Sequence, residues 1–284
     1  MRRIWRVPAK RIKRDFESRI DDIVKRRATT PRELEASVYS YCGAGSFLDQ
    51  VVTLRSFLRG IGAPKRFTVV SDGTLTASHR EQLRANHPCV ECRELRELDV
   101  APPPALAALV EEKMPGYFFA PKLLLLLAIS LHPEPAIYSD SDVLFFPSPD
   151  VSPLLDFADE LWYLKDCLWS LDPPLLAPEF ANEGAGIAPV NAGFGLYGRK
   201  VQWEDALGPL RRFGGTPEHV SEQTIIHNMM HFNNAHQLPS DRFLLEVADK
   251  GLRPDPAQKA NVVLRHYVAA VRHKMWLHAP EFYK

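Results

Sequence analysis

The amino-acid sequence predicts an α/β fold, a single domain on a mixed, mainly parallel sheet with helices on both faces. Three observations predict it. From Glu35 to Leu95, apolar runs of strand length alternate with runs whose apolar residues recur at helical spacing, and strands that alternate with helices pair in parallel. These strand runs stop at small and turn-forming residues, Gly43-Ala44-Gly45 after the first and Ser71-Asp72-Gly73 after the second. The chain has 284 residues, 45% of them hydrophobic, which is enough to bury a sizeable core.

The first element is a helix over Lys10–Arg27, with Ile12, Phe16, Ile20, Ile23 and Val24 at helical spacing in a basic background. Residues 1–33 are read as this basic amphipathic helix and 34–284 as the domain proper. The pattern fits a helix packed on the domain with a solvated basic face, and it also fits a peripheral contact with an anionic membrane surface. A strand follows over Glu35–Cys42, a helix over Ser46–Arg59, a strand over Lys65–Ser71, a helix over Ala77–Asn86 and a strand over Cys89–Leu95. Ligands of such sheets bind beyond the carboxyl ends of the strands, which points at Tyr41, Cys42, Ser71 and Asp72. After the rigid Ala101-Pro102-Pro103-Pro104, a short helix is expected over Ala105–Lys113. A strongly apolar helix with Lys122 as its one charge then covers Phe119–Leu131.

That helix leads to Pro135–Phe146, around which the chain is organised. An apolar, β-prone run enters Asp140-Ser141-Asp142 and another leaves it, so the acids sit where a buried strand surfaces. Carboxylates at i and i+2 of an extended backbone point the same way, and a hard divalent cation, Mn2+ or Mg2+, takes such oxygen ligands. Asp-Ser-Asp also shapes turns and caps helices. Further on, a strand is expected over Glu160–Leu164, a long loop over 166–190, and a glycine-dotted strand over Asn191–Gly198 in which Gly193 lets a ligand approach the backbone. Missing side chains fit a bulged or edge strand equally well. Ser221 is a plausible N-cap for a helix whose mouth carries Glu222 and Gln223, and a last apolar strand is expected over Asn261–Leu264.

Charge and cysteine usage narrow the classes. Lys plus Arg and Asp plus Glu number 35 each, so no overall field favours nucleic acid as a partner. The first thirty residues are strongly basic and the remainder is net acidic. No apolar h-region follows the basic residues, and the longest apolar run, Leu123–Leu131, is too short to span a bilayer. Cys42, Cys89, Cys92 and Cys167 supply one C-x-x-C without a second pair, which favours reduced structural thiols and a cytoplasmic location.

In this order the motifs resemble those of nucleotide-sugar glycosyltransferases of the GT-A (Rossmann-like) fold, most like the family-8 enzymes that include glycogenin and bacterial galactosyl- and glucosyltransferases. Tyr39–Cys42 resembles the strand under the nucleotide base, Phe119-Ala120-Pro121-Lys122-Leu123 the helix with a donor-facing lysine, and Tyr138-Ser139-Asp140-Ser141-Asp142 the Tyr-Leu-Asp-x-Asp strand. Val190-Asn191-Ala192-Gly193-Phe194 is similar to Phe-Asn-Ser-Gly-Val, Glu222-Gln223 to Asp-Gln, and Val263–Trp276 to the terminal His-x-x-Gly-x-x-Lys-Pro-Trp. The terminal motif departs from that pattern: two extra residues lie between His266 and Lys274, none is glycine, and Met275 replaces proline. Glu222 stands where aspartate is usual.

The resemblance implies transfer of a hexose from a nucleoside-diphosphate sugar, with UDP favoured, to an acceptor hydroxyl of a carbohydrate, lipid or protein, with retention of configuration. It implies a metal held by Asp140, Asp142 and His266, and Lys274 at the diphosphate. Lys122 and Asn191 would orient the donor sugar, Glu222 and Gln223 would face the acceptor, and Ser141 and Gly193 would line the donor site. Tyr267, Arg272 and His273 are close enough in sequence to Lys274 to take over its role. Two other classes compete. An inactive binding protein would keep the fold and the altered terminal motif. A zinc hydrolase would use His227 and His231 at i and i+4, but Asn228 stands where its general base should be.

Overall fold

The computed structural model describes residues 6–148, 150–181, 187–248 and 261–283. Arg2, Arg3, Pro149 and residues 182–186 of the long loop lie outside the described residues.

In chain order, the elements open with helices α1 (Arg6–Ser18) and α2 (Ile20–Lys25), then strand β1 (Glu33–Cys42), α3 (Phe47–Gly60), β2 (Ala63–Ser71), α4 (Ala77–Ala85) and β3 (Val90–Glu94). There follow α5 (Pro104–Lys113), α6 (Ala120–Ser130), β4 (Ala136–Ser139), β5 (Val143–Phe145), α7 (Ser152–Leu155), β6 (Leu161–Lys165) and β7 (Val190–Tyr197). The chain closes with α8 (Gly208–Arg212), α9 (Ser221–Phe232), β8 (His236–Gln237), β9 (Phe243–Leu245), β10 (Leu264–His266), α10 (Arg272–His278) and α11 (Pro280–Tyr283). A seven-stranded sheet runs in the order β3-β2-β1-β4-β7-β6-β8, and a three-stranded sheet in the order β5-β10-β9. The larger sheet is mostly parallel and flanked by helices, as the alternation of strands and helices predicts.

The chain divides into two compact units. The first takes in the described residues of Met1–Glu94, Ser139–Asp156 and Pro239–Lys284, the second Leu95–Tyr138 and Phe157–Leu238. In the first unit β1 pairs in parallel with β2, Cys42 opposite Ser71, and β2 in parallel with β3. The register places the carboxyl ends of β1 and β2 side by side, so the loops that follow them leave from the same end of the strands. Helix α3 is buried on nearly all sides, and its Arg55 donates to the carbonyls of Phe282 and Arg26 and to Asn86 Oδ1. Burial first, then the neighbouring Arg59 and Arg26, lowers the Arg55 pKa to about 10; three acceptors satisfy a guanidinium that water does not reach.

Several sequence expectations are corrected. The N-terminal helix is broken at Arg19 (φ −119°, ψ 10°). Phe16 packs edge-on to Trp276 and Tyr283, whereas α2 contacts α4, and one straight helix cannot present its apolar residues to both surfaces. The expected strand over Asn261–Leu264 is Leu264–His266. Val220, not Ser221, precedes α9; the Ser221 hydroxyl donates to the buried Asp172 carboxylate and accepts from the Glu218 N–H at 2.7 Å. Strand β7 is buried along its whole length and lies between β4 and β6, so it is not an edge; its register with β6 does shift between Tyr163 and Leu164. Gly198, just past β7, is required by close approach, because a Cβ there would stand 1.7 Å from the Phe157 carbonyl oxygen.

Candidate active site

Asp140-Ser141-Asp142 is not part of one extended strand. β4 ends at Ser139, the three residues form a turn, and β5 begins at Val143 in the other sheet. The convergence of the two carboxylates therefore comes from the turn rather than from strand alternation. Pairing then supplies the third group. β10 runs antiparallel to β5 with His266 opposite Val143, and the Tyr267 N–H donates to the Asp142 carbonyl at 2.8 Å. His266 Nε2 thereby lies 3.0 Å from Asp142 Oδ1. One ligand atom from each of Asp140, Asp142 and His266 falls within 4.8 Å of the others, the single such group of His, Cys, Asp or Glu among the described residues.

Asp142 is buried, contrary to the expectation of surfacing carboxylates. Burial alone would push its pKa up; the hydrogen-bonded His266 and Arg272 outweigh that and hold it below the usual carboxylate range. Arg272, the first residue of α10, donates to Asp142 Oδ2 through Nε at 2.9 Å and through Nη2. Two carboxylates and an imidazole fit a divalent cation: the carboxylate oxygens suit Mn2+ or Mg2+, the imidazole nitrogen favours the transition metal Mn2+ over the harder Mg2+, and either ion leaves positions for phosphate oxygens. The Ser141 carbonyl accepts from Thr53 Oγ1 at 2.7 Å, which ties the turn to α3. Lys274 is 2% exposed on α10.

The residues expected at the strand ends are also in this unit. Asp72 Oδ1 accepts from the Thr74 N–H at 2.9 Å and hydroxyl at 2.6 Å, and Thr74 Oγ1 accepts from the Ala44 N–H at 2.8 Å, joining the loops after β1 and β2. A Cβ on Gly43 would meet Asp72 Oδ2 at 1.9 Å, so the tight packing of those loops depends on glycine there. Burial, with Asp72 and Glu94 adding to it, pushes the Tyr41 phenol up to about 12, and burial pushes the Cys42 thiol up to about 12. All four cysteines are free thiols.

The second unit gathers Lys122, Asn191, Glu222 and Gln223 into two contacting pairs. Lys122 Nζ lies 3.0 Å from Glu222 Oε1, both side chains being buried, and 5.3 Å from the centre of the Tyr138 ring. Asn191 Nδ2 donates to Gln223 Oε1 at 3.2 Å and to Asp166 Oδ2 at 3.0 Å, while Asn191 Oδ1 accepts from the Gly193 N–H at 2.9 Å. Gln223 Nε2 donates to Asp166 Oδ2 at 3.2 Å and to the Ser170 carbonyl at 3.1 Å. Asp166 was missed by the sequence reading. Its signal was the one used for Asp72, a carboxylate just beyond the end of an apolar strand. The Tyr117 hydroxyl, raised to about 12 by burial, accepts from the Glu222 N–H at 3.3 Å.

His227 and His231 have structural partners. His227 Nδ1 accepts from the Val190 N–H at 3.3 Å, His231 Nε2 is 2.9 Å from the Ala188 carbonyl, and their rings lie 4.5 Å apart. Burial, then His231, lowers the His227 pKa to about 3. This geometry does not favour a zinc centre.

No protein-family profile matches the chain, and neither does any curated protein sequence. Solved structures do. The chain is similar to the galactosyltransferase LgtC in complex with donor and acceptor sugar analogs, at TM-score 0.54 and 14% identity, over 87% of this chain and 96% of that one. It is similar to the apo-form glycosyltransferase GlyE of Streptococcus pneumoniae TIGR4 at TM-score 0.51 and 14% identity, over 86% of this chain and 60% of that one. The bifunctional glycosyltransferase WbbM gives TM-score 0.50 and 10% identity, over 89% of this chain and 50% of that one. The fold is thus the one these glycosyltransferases share, and it is the mixed α/β fold that the ordered motifs imply.

Proposed function

We propose that the chain is a metal-dependent glycosyltransferase that moves a hexose from a nucleoside-diphosphate sugar, UDP-hexose in our reading, to an acceptor hydroxyl with retention of configuration. The observation that carries this is the convergence of Asp140, Asp142 and His266 within 4.8 Å, on a fold shared with glycosyltransferases. These three residues would hold Mn2+ or Mg2+, which when bound supplies Lewis-acid charge to a leaving diphosphate. Tyr41, Cys42, Ser71 and Asp72 are assigned to the nucleotide, with Ser141, Gly193 and Lys274 also on the donor. Lys122 and Asn191 are assigned to the donor sugar. Glu222 and Gln223 are assigned to the acceptor side, each held by a partner that fixes its rotamer.

The acceptor is a carbohydrate, lipid or protein hydroxyl, and we place the reaction in the cytoplasm. None of the described helices is long and apolar enough to cross a membrane. Phe16 of α1 is turned inward onto Trp276 and Tyr283, while Lys10, Arg11 and Arg14 are exposed, so any peripheral contact with an anionic bilayer would be electrostatic. Such binding needs anionic lipid and weakens with salt.

The test is a thermal-shift panel of UDP, UDP-glucose and UDP-galactose with and without Mn2+, since a ligand that binds the folded state alone raises its stability. We expect a shift that requires the metal in the wild-type chain and is lost in Asp142→Ala. Nucleotide shifts that ignore Mn2+, or none at all, overturn the reading. A nucleotide-sugar binder without turnover is the second reading, favoured by the burial of Lys274. Release of free hexose from the donor in the absence of acceptor separates the two.

A further inference from the structure

We propose that a cleft walled by α1 binds a phosphorylated carbohydrate, with its phosphate on Lys10 and Arg14 and its hydroxyls on Glu17 and Gln82. The inference goes beyond the glycosyltransferase reading and does not rest on it. None of the residues assigned above to metal, donor or acceptor lines this cleft.

The cleft lies within the first unit and has a volume of about 620 Å3, the size of a small-molecule pocket rather than of a lone-ion site. Residues of α1 form one wall, and residues of α3 and α4 with the loop before α3 form the other. Both walls are fixed. On α1, Lys13 Nζ pairs with Asp49 Oδ1 at 2.9 Å and lies 5.0 Å from the centre of the Trp276 ring, while Phe16 packs on Trp276 and Tyr283. Opposite, His79 stacks on Phe47 at 4.2 Å between ring centres, and Thr76 Oγ1 caps α4 by accepting from the His79 N–H.

Charge on the α1 wall selects a phosphate. Lys13 is committed to Asp49, whereas Lys10 and Arg14, one turn apart, have no carboxylate partner among the described residues. Like charges at i and i+4 repel, and an anion between them relieves that repulsion. A phosphomonoester brings a charge of about −1.5 to −2 and three acceptor oxygens, enough for both side chains. A carboxylate brings a single charge, and Glu17 on the same wall offsets much of the attraction for it. Ser78, the second residue of α4, adds a hydroxyl, and its N–H belongs to a first turn whose dipole favours an anion. Glu17 and Gln82 offer what a bare phosphate does not use. Gln82 Nε2 donates to Asp21 Oδ1 at 2.7 Å, which leaves Oε1 as an acceptor beside the Glu17 carboxylate. Two acceptors in a cleft that also holds cations call for a ligand rich in hydroxyl donors, and Ile20 and Leu48 add apolar lining for the face of a sugar ring.

The experiment is a calorimetric titration of glucose 6-phosphate, inorganic phosphate and glucose into the full chain, with EDTA present so that no metal bridges the ligand. It is repeated with saturating UDP and Mn2+. The wild type should bind glucose 6-phosphate about 10-fold more tightly than phosphate or glucose, and the affinity should fall with salt. Arg14→Gln should weaken it about 10-fold, and Lys10→Gln with Arg14→Gln about 100-fold, through the loss of one and of two hydrogen bonds to a charged group. Arg11→Gln, on α1 but outside the cleft, should change it by less than about 2-fold. Ser78→Glu puts a carboxylate into the cleft at a helix position that favours one, and should abolish binding, which preserves the test if an α1 variant does not fold. Glu17→Gln should tighten inorganic phosphate and narrow the preference for glucose 6-phosphate. Equal losses in Arg14→Gln and Arg11→Gln, no preference for the sugar phosphate over phosphate, or displacement by UDP and Mn2+ each overturns the proposal. Vesicles of phosphatidylglycerol in phosphatidylcholine are titrated in parallel; binding to them that Arg14→Gln weakens, without binding of glucose 6-phosphate, overturns the carbohydrate assignment in favour of a lipid headgroup. Failure of Mn2+-linked UDP binding overturns the glycosyltransferase reading and leaves this result, obtained without metal or nucleotide, standing.

Discussion

Two ion pairs, one in each compact unit, are made of similar groups and stand in opposite surroundings. In Lys122–Glu222 the side chains are 7% and 6% exposed, so both charges have left water. In Arg272–Asp142 the carboxylate is 4% exposed and the guanidinium 47%, so one partner keeps its hydration within reach. A charge with no water to return to stays with its partner, and breaking such a pair strands the other charge. A half-hydrated guanidinium can exchange one anion for another at little cost. The first arrangement suits a side chain that must hold one position, the second a side chain that must move.

The largest effect should come from breaking the fully buried pair. Glu222→Leu is expected to cost about 3–5 kcal/mol, and the double variant Lys122→Met with Glu222→Leu should recover most of it, because the uncompensated charge is gone. Urea unfolding of both measures this; a single-variant cost near zero would show that Lys122 is hydrated or otherwise neutralised. Asp142→Asn should cost less, about 1–3 kcal/mol, since the Arg272 head can rehydrate while a hydrogen bond to a charged group is weakened. Its metal-linked nucleotide binding should nevertheless disappear. Equal stability losses at the two sites would erase the distinction drawn between them.

A third buried polar group in the second unit reports through pH. The His227 pKa is lowered below its unfolded value near 6.5, so its contribution to stability is fully present above that pH and is lost as pH falls through it, at about 1.4 kcal/mol per pH unit. His231, also lowered by burial, adds to the same acid limb. His227→Asn keeps an acceptor near the Val190 N–H and should flatten the fall in unfolding free energy between pH 6.5 and pH 5. The same slope in variant and wild type would mean that His227 is not held neutral. The smallest effect belongs to Lys65–Glu35, 3.1 Å apart with side chains 47% and 93% exposed. Glu35→Ala should change stability by no more than about 0.5 kcal/mol. A larger loss would show that exposure is not what ranks these pairs.

By itself the sequence determined the elements that depend on neighbours within a few residues. Apolar periodicity and its punctuation at Gly43 and Gly73 place β1, α3, β2 and α4 to within about two residues, because those signals come from local backbone geometry and one buried face. The ordered motifs name Asp140, Asp142 and His266 together and set Lys122 and Asn191 apart from Glu222 and Gln223, whereas the structure joins Lys122 to Glu222 and Asn191 to Gln223. What they could not supply is who touches whom. Asp142 and His266 are 124 residues apart and meet because β10 finds β5, a choice made by pairing between distant segments and not by any local preference. The same distance hid the burial of Asp142 and the contacts of Asp166 with Asn191 and Gln223. The turn over Asp140–Asp142 is local, and Asp-Ser-Asp suits a turn as well as a strand. Distance hid the break at Arg19 too, since a helix bends to satisfy two surfaces that exist only after the rest of the unit has folded. Burial and ionic partnership are properties of the packed chain, and they are what separates a fixed lysine from a movable arginine here.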